Sequence, residues 1–222
     1  TIESYLLRRA VLGLPTKNYN RVFLTLTRTL RKDGTSPQQV QSYLQGLTGE
    51  STVWPTDDAF RTAWMTTHAY RLLNNPKIVH ILQRLNQTYL TTKQEQLSFD
   101  GQLTVEHLLP QSWHEHWPLP DGSKGMPYQD ALLAPTDDPR ALATRNRDNV
   151  LHTFGNLTIL TQPLNSSLSK SAWTTKKPAL LAASLLPINQ SLHQYDHWDE
   201  NTIATRGQEL FQRALTIWPR PQ

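Results

Sequence analysis

Val105-Glu106-His107-Leu108-Leu109-Pro110-Gln111 sets an acid beside an imidazole in a short apolar run that stops at a proline. The run from Leu103 to Leu109, bounded by Gly101 and Pro110, has the length and composition of a buried strand. Pro110 has no N–H to offer a ladder, so the strand ends close to the acid-histidine pair. Successive strand side chains point to opposite faces, so Glu106 and His107 share a face only where the strand kinks or stops. Downstream, Gly155-Asn156 reads as a turn into a second apolar strand, Leu157-Thr158-Ile159-Leu160, and a helical turn around Asn165 follows, nine residues after Asn156. A β-hairpin followed at once by a helix is the predicted centre of the molecule.

Working outward, the amino-terminal part reads as helical, because apolar residues recur at helical spacing between turn signals. Ile2, Tyr5, Leu6 and Leu7 place residue 1 at a helix already under way, as in a chain cut from something longer. Phe23, Leu26 and Leu30 make a second stripe. Val40, Tyr43, Leu44 and Leu47 make a third behind Pro37, and Phe60, Ala63 and Trp64 a fourth. The fifth, Ile78, Ile81, Leu82, Leu85 and Tyr89, is the best formed, with Asn75 as cap and Pro76 in the first turn. The pattern changes around Gln96 to Gly101, which divides the chain into a helical subdomain, 1–98, and a second domain, 99–222. Residues 111–149 form a long insertion between the two strands, with helical character at Tyr128 to Ala134 and Pro139 to Val150. Insertions of that length carry function or structure of their own. After Asn165 the pattern gives a helix from Pro178 to Leu186, then a long amphipathic helix with Ile203, Leu210, Phe211, Ala214 and Trp218 on its buried face. The fold class is mainly α with a small β-hairpin.

Composition narrows the chemistry. The chain has 222 residues and no cysteine, so disulfides and thiolate zinc sites are excluded. No run approaches the roughly 20 apolar residues of a membrane-spanning helix, and no membrane role is expected. A formal charge of +4 and a pI near 9.4 suit a polyanionic partner. The basic residues lie in small clusters, Arg8-Arg9, Arg28/Arg31/Lys32, Arg145/Arg147 and Lys170/Lys176/Lys177, which read as solvated surface. His114 and His116, alternate histidines with no cysteine beside them, read as an exposed loop rather than a zinc site.

Taken singly, a Glu-His pair or a Gly-Asn turn is ordinary. The ordered set of acid, imidazole, hairpin strands, Asn156 and Asn165 resembles the HNH (ββα-metal, His-Me finger) nucleases. It is similar in particular to the DUF1524 branch, found in the carboxy-terminal part of GmrSD-type modification-dependent restriction enzymes and in SspE-like phage-defence effectors. Glu106-His-Leu-Leu-Pro-Gln111 and Gly155-Asn-Leu-Thr-Ile-Leu-Thr161 carry that resemblance, with Asn165, the segment Trp173 to Lys177, and the tail holding Trp198, Ile203, Arg206 and Trp218. The resemblance is specific from about residue 104 to 218. Glu3-Ser-Tyr-Leu-Leu-Arg-Arg9 also looks like the helical segment that precedes the nuclease in two-domain members.

What the resemblance implies is a metal-dependent, nicking DNA endonuclease. His107 would be the general base, because an imidazole with an ordinary pKa of about 6.5 is largely neutral at cellular pH. Glu106, where the family usually has Asp, and Asn165 would hold one Mg²⁺ or Mn²⁺ ion, since a carboxylate and an amide oxygen are hard ligands. No zinc is expected: Thr161 and Leu164 stand where other HNH proteins place a cysteine pair. Asn156 would orient the base. His152, Lys176 and Lys177 form a second tier, His152 bracing the loop or touching phosphate and the lysines clamping phosphate. Double-stranded DNA is the expected substrate, and the setting a bacterial cytoplasm. An upstream ParB-like NTPase domain (DUF262) is the expected partner, of which these residues contain nothing. The rival reading is a non-catalytic DNA-binding module that retains the HNH scaffold.

Overall fold

In the computed structural model, residues 1–90, 101–115, 117–168 and 170–221 are described, with side-chain placement left aside at Asp33 and Glu115. The chain divides into two compact units, one of residues 1–67 and 211–222, the other of residues 68–210. The sequence-derived boundary at 98/99 and His116 lie outside the described residues.

Among its described residues the first unit holds α1 (Ile2–Val11), α2 (Tyr19–Asp33), α3 (Pro37–Gln45), α4 (Asp57–Thr66) and, at 211–217, the end of the last helix. Ser36 closes a capping box with Gln39 ahead of Pro37, which fixes where α3 begins. Tyr5, Val22, Leu44 and Trp54 make the core. Arg8 and Arg9 are also buried: Arg8 pairs with Asp57 and donates to the Trp218 carbonyl, and Arg9 donates to the carbonyls of Pro15, Ser51 and Val53. The expectation that this basic pair is solvated surface is corrected. An arginine can be buried where several carbonyls converge on its fork.

The second unit runs through α5 (Ala69–Leu72), α6 (Asn75–Gln87), β1 (Leu103–His107), α7 (Tyr128–Leu133), α8 (Pro139–Leu151), β2 (Leu157–Thr161), α9 (Gln162–Leu168), α10 (Trp173–Ala183), α11 (Pro187–Gln190) and α12 (Glu200–Ile217) as far as Leu210. The cap of α6 is Asn74, whose side chain accepts from the Lys77 N–H, one residue earlier than the sequence suggests. The strands pair antiparallel, with Val105 opposite Ile159 and His107 opposite Leu157. Pairing stops at His107, because the next two N–H groups turn to Asn156: Leu108 donates to its backbone carbonyl and Leu109 to its side chain. The helix α9 follows β2 without a linker, which completes the ββα order. Among the described residues the chain is thus mainly helical with one small hairpin, as the sequence indicates.

Two elements depart from the sequence pattern. The helix expected to begin at Pro178 begins at Trp173 and carries Pro178 inside it. Its buried positions are Trp173, Lys176 and Leu180, so a lysine occupies a place in the apolar stripe and hides its first turns. The insertion between the strands is built on Trp113, fully buried, whose indole donates to Asp148. Arg147 lies over the same ring, donates to the carbonyls of Trp117 and Pro118 and pairs with Glu200, so it too is buried rather than solvated.

The core of this unit gathers Leu108, Leu109, Trp113, Leu151, Leu160, Trp173, Trp198 and Ile203 around the hairpin. Gly155 permits the closest approach: a Cβ there would lie 2.1 Å from the Ile203 carbonyl oxygen of α12. Backbone on both sides leaves nothing to yield. Gly155→Ala is therefore expected to destabilise the fold by about 1–3 kcal/mol, the usual range for overpacking, read as a lower urea midpoint. An unchanged midpoint would contradict this packing.

Candidate active site

Asn156 is wholly buried and uses its full hydrogen-bonding capacity. Its Oδ1 accepts from the Leu109 N–H at 2.8 Å and from the Trp198 indole at 3.0 Å. Its Nδ2 donates to the carbonyls of Leu109 at 2.9 Å and Leu151 at 2.8 Å. One side chain thus ties the backbone just after His107 to the backbone just before His152. Arg206 holds the same turn from α12, donating to the carbonyls of Gly155 at 2.7 Å and Leu157 at 2.9 Å.

His107 is 5% exposed. Its Nε2 lies 3.1 Å from Nδ1 of His152, which is also buried. Tyr70 packs edge-on against His107, ring centroids 4.5 Å apart, and stacks on His152 at 5.8 Å with 12° between the planes. The Tyr70 N–H donates to the His152 carbonyl, and the half-exposed ring of His68 lies 5.6 Å from that of His152. Neither Tyr70 nor His68 gives a sequence signal, since the four residues of α5 are too few to show a stripe. Burial lowers both histidines, His107 to about 3 with the help of His152 and the charge of Lys176, and His152 to about 4 with the help of the charge of Arg71 and of His68. Both rings are neutral at physiological pH.

Glu106 takes the other direction, as alternation in a strand requires. It is 6% exposed, and its carboxylate meets the Lys176 ammonium at 2.6 Å. Lys176, fully buried, also donates to the His107 carbonyl at 2.9 Å. Its ammonium is thus buried and turned toward the motif, with two of its three hydrogens bonded there. Burial pushes the Glu106 carboxyl up and the Lys176 ammonium down, and their mutual attraction opposes both shifts. Lys177 donates to the Tyr195 carbonyl and lies 3.4 Å from the exposed Asp196.

Asn165, on α9, donates from Nδ2 to the Thr104 hydroxyl at 2.9 Å and to the Val105 carbonyl at 3.1 Å. These bonds spend both amide hydrogens and leave Oδ1 with no hydrogen bond among the described residues. With Gln102, Thr104, Gln162 and Ser166, Asn165 lines an open cleft of about 590 Å³. Thr104 and Glu106 occupy alternate positions of β1, so Asn165 and Glu106 belong to one face of the hairpin and His107 to the other. No hydrogen bond among the described residues joins Asn165 to Glu106 or His107. Nor do the described residues contain a group of three or more His, Asp or Glu side chains able to hold a metal ion. His114 is half-buried at the insertion, beside Trp113.

Two expected outcomes follow from these charges. Lys176→Met leaves a buried carboxylate unpaired and lowers stability by about 3 kcal/mol. Adding Glu106→Gln restores most of the loss in a double-mutant cycle, and additive losses would deny the pairing. The histidines, with folded pKa values below the ordinary value of about 6.5, bind protons mainly when the chain unfolds. Their contribution is complete above that pH and falls on acidification towards the folded values, by about 1.4 kcal/mol per pH unit for each ring that stays neutral. Unfolding in urea at pH 7, 6 and 5 measures this slope, and His107→Gln should flatten it.

The family model described as GmrSD restriction endonucleases, C-terminal domain, matches residues 54–213. No curated protein and no solved structure matches the chain. No helix among the described residues is long and apolar enough to cross a membrane. The match spans well over half of the sequence, including the hairpin, Asn156, Asn165 and the helix that carries Lys176, and on that extent the chain belongs to the C-terminal domain family of the GmrSD restriction endonucleases.

Proposed function

We propose that this chain is an HNH-type, metal-dependent DNA endonuclease that nicks duplex DNA, the effector of a restriction or anti-phage system acting with an upstream ParB-like NTPase domain (DUF262). The observation that carries the reading is the ββα arrangement: Glu106-His107 closes one strand, Gly155-Asn156 opens its partner, and Asn165 stands on the helix that follows. Family membership supplies the class of reaction.

In this reading His107 takes the proton from the attacking water, as a base neutral at cellular pH can. Asn156 acts at a distance from the substrate, fixing the backbone on which the imidazole is mounted. Glu106 and Asn165, on the face of the hairpin opposite His107, would hold one Mg²⁺ or Mn²⁺. Both present hard oxygen donors, and the uncommitted Oδ1 of Asn165 beside an open polar cleft fits such an ion. Water and phosphate oxygens would supply the remaining donors. Such an ion neutralises charge building on the phosphate and leaving oxygen. To serve as a ligand, Glu106 would have to give up its pairing with the Lys176 ammonium, which neutralises it in the folded chain.

That ion pair also favours the second reading, a DNA-binding module that keeps the scaffold without cutting. The two are separated by nicking of supercoiled plasmid with Mg²⁺ or Mn²⁺ and with EDTA. Wild type is expected to nick only with metal, His107→Ala to lose at least about 100-fold in rate, within the range for a general base, and Asn165→Ala to need more metal, each while retaining DNA in a gel-shift assay. DNA binding that ignores metal, with no cleavage in Mg²⁺, Mn²⁺ or Ni²⁺, establishes the binding module instead.

A further inference from the structure

We propose that His152 is the positioning residue for His107, accepting the His107 Nε2–H at its own Nδ1 so that the Nδ1 lone pair of His107 is the one left for substrate. This rests on the nuclease reading for its chemistry, and on the imidazole pair for its geometry.

Two neutral imidazoles joined nitrogen to nitrogen at 3.1 Å share one hydrogen, so one ring donates and the other accepts. When His107 donates from Nε2, its Nδ1 is a lone pair and the ring can act as a base. When His107 accepts at Nε2, its Nδ1 carries the hydrogen and no lone pair remains. The identity of the donor therefore decides whether the ring can do the work assigned to it. His107 Nδ1 has no hydrogen bond among the described residues, as a nitrogen reserved for an incoming water requires.

His152 is built to be a fixed partner. Its ring is stacked on Tyr70, its carbonyl accepts from the Tyr70 N–H, and the residue before it is clasped by Asn156. It is 3% exposed and packed against the rings of Tyr70 and His68. The same Asn156 amide holds Leu109, two residues beyond His107, so one side chain ties together the backbone segments that carry the two rings.

The test reads the tautomer directly and the consequence kinetically. In long-range ¹H–¹⁵N correlation spectra of the folded 222-residue chain at pH 7.5, with His107 assigned by its loss in His107→Gln, the proposal expects an Nε2-protonated ring. His152→Phe fills the space without an acceptor and should lower kcat for plasmid nicking about 10–100-fold, the usual effect of removing an orienting partner, with KM for DNA within about 2-fold. His152→Asn offers an amide oxygen near the lost nitrogen and should recover most of kcat.

An Nδ1-protonated His107 in the wild type overturns the proposal whether or not either variant folds. A raised KM with unchanged kcat in His152→Phe overturns it in favour of a phosphate contact, and an Asn variant as slow as Phe overturns the acceptor role. A wild-type chain that shows the expected tautomer but never nicks upholds the imidazole pairing and ends the nuclease reading.

Discussion

The second unit depends on one fully saturated amide. Asn156 sits where β1 is leaving the ladder and β2 has not begun, and its side chain bonds both ways to Leu109 while also holding Leu151 and Trp198. A buried amide with every donor and acceptor used gains strength from its low-dielectric surroundings, and an aspartate or a leucine of similar size would leave partners unsatisfied. Four separated parts of the chain, around β1, the end of α8, the start of β2 and the approach to α12, meet at this side chain. The strand end, the imidazole pair and the tight seat of Gly155 on α12 all depend on that meeting point.

Around it, cations replace what would otherwise be apolar packing. Arg206 closes the carbonyls on either side of Asn156, Lys176 joins Glu106 to the His107 carbonyl, and Arg147 ties the insertion to the first residue of α12. Buried charges of this kind add little net stability, since desolvation opposes the attraction. Their geometry is demanding, however, and a carbonyl or carboxylate displaced by an ångström loses its partner. The result is a hairpin whose two faces differ: Glu106 and Asn165 on one, the paired imidazoles on the other.

How much of this the sequence made legible follows from the length of each pattern. The helices of the first unit, the hairpin, α8 and α12 carry apolar periodicity over enough residues to be read, and Pro110 marks the strand end to within a few positions. Glu106, His107, Asn156 and Asn165 are visible because their order and spacing are a local property of the chain. The start of α10 is hidden because Lys176 stands where an apolar residue is expected, and the burial of Arg8, Arg9 and Arg147 because a buried arginine is written with the same letter as an exposed one.

The sequence by itself therefore determined the helical class, the single hairpin and the ordered polar residues, all of which follow from short-range spacing and backbone chemistry. Only the tertiary structure decided what those residues touch: that Glu106 answers to Lys176, that His107 answers to His152 under Tyr70, and that Asn165 opens on a separate polar cleft. The reason is distance along the chain. His107 and His152 are 45 residues apart in sequence, and Glu106 and Lys176 are 70 apart. No local pattern encodes contacts closed over such lengths, which exist only once the core has brought the segments together.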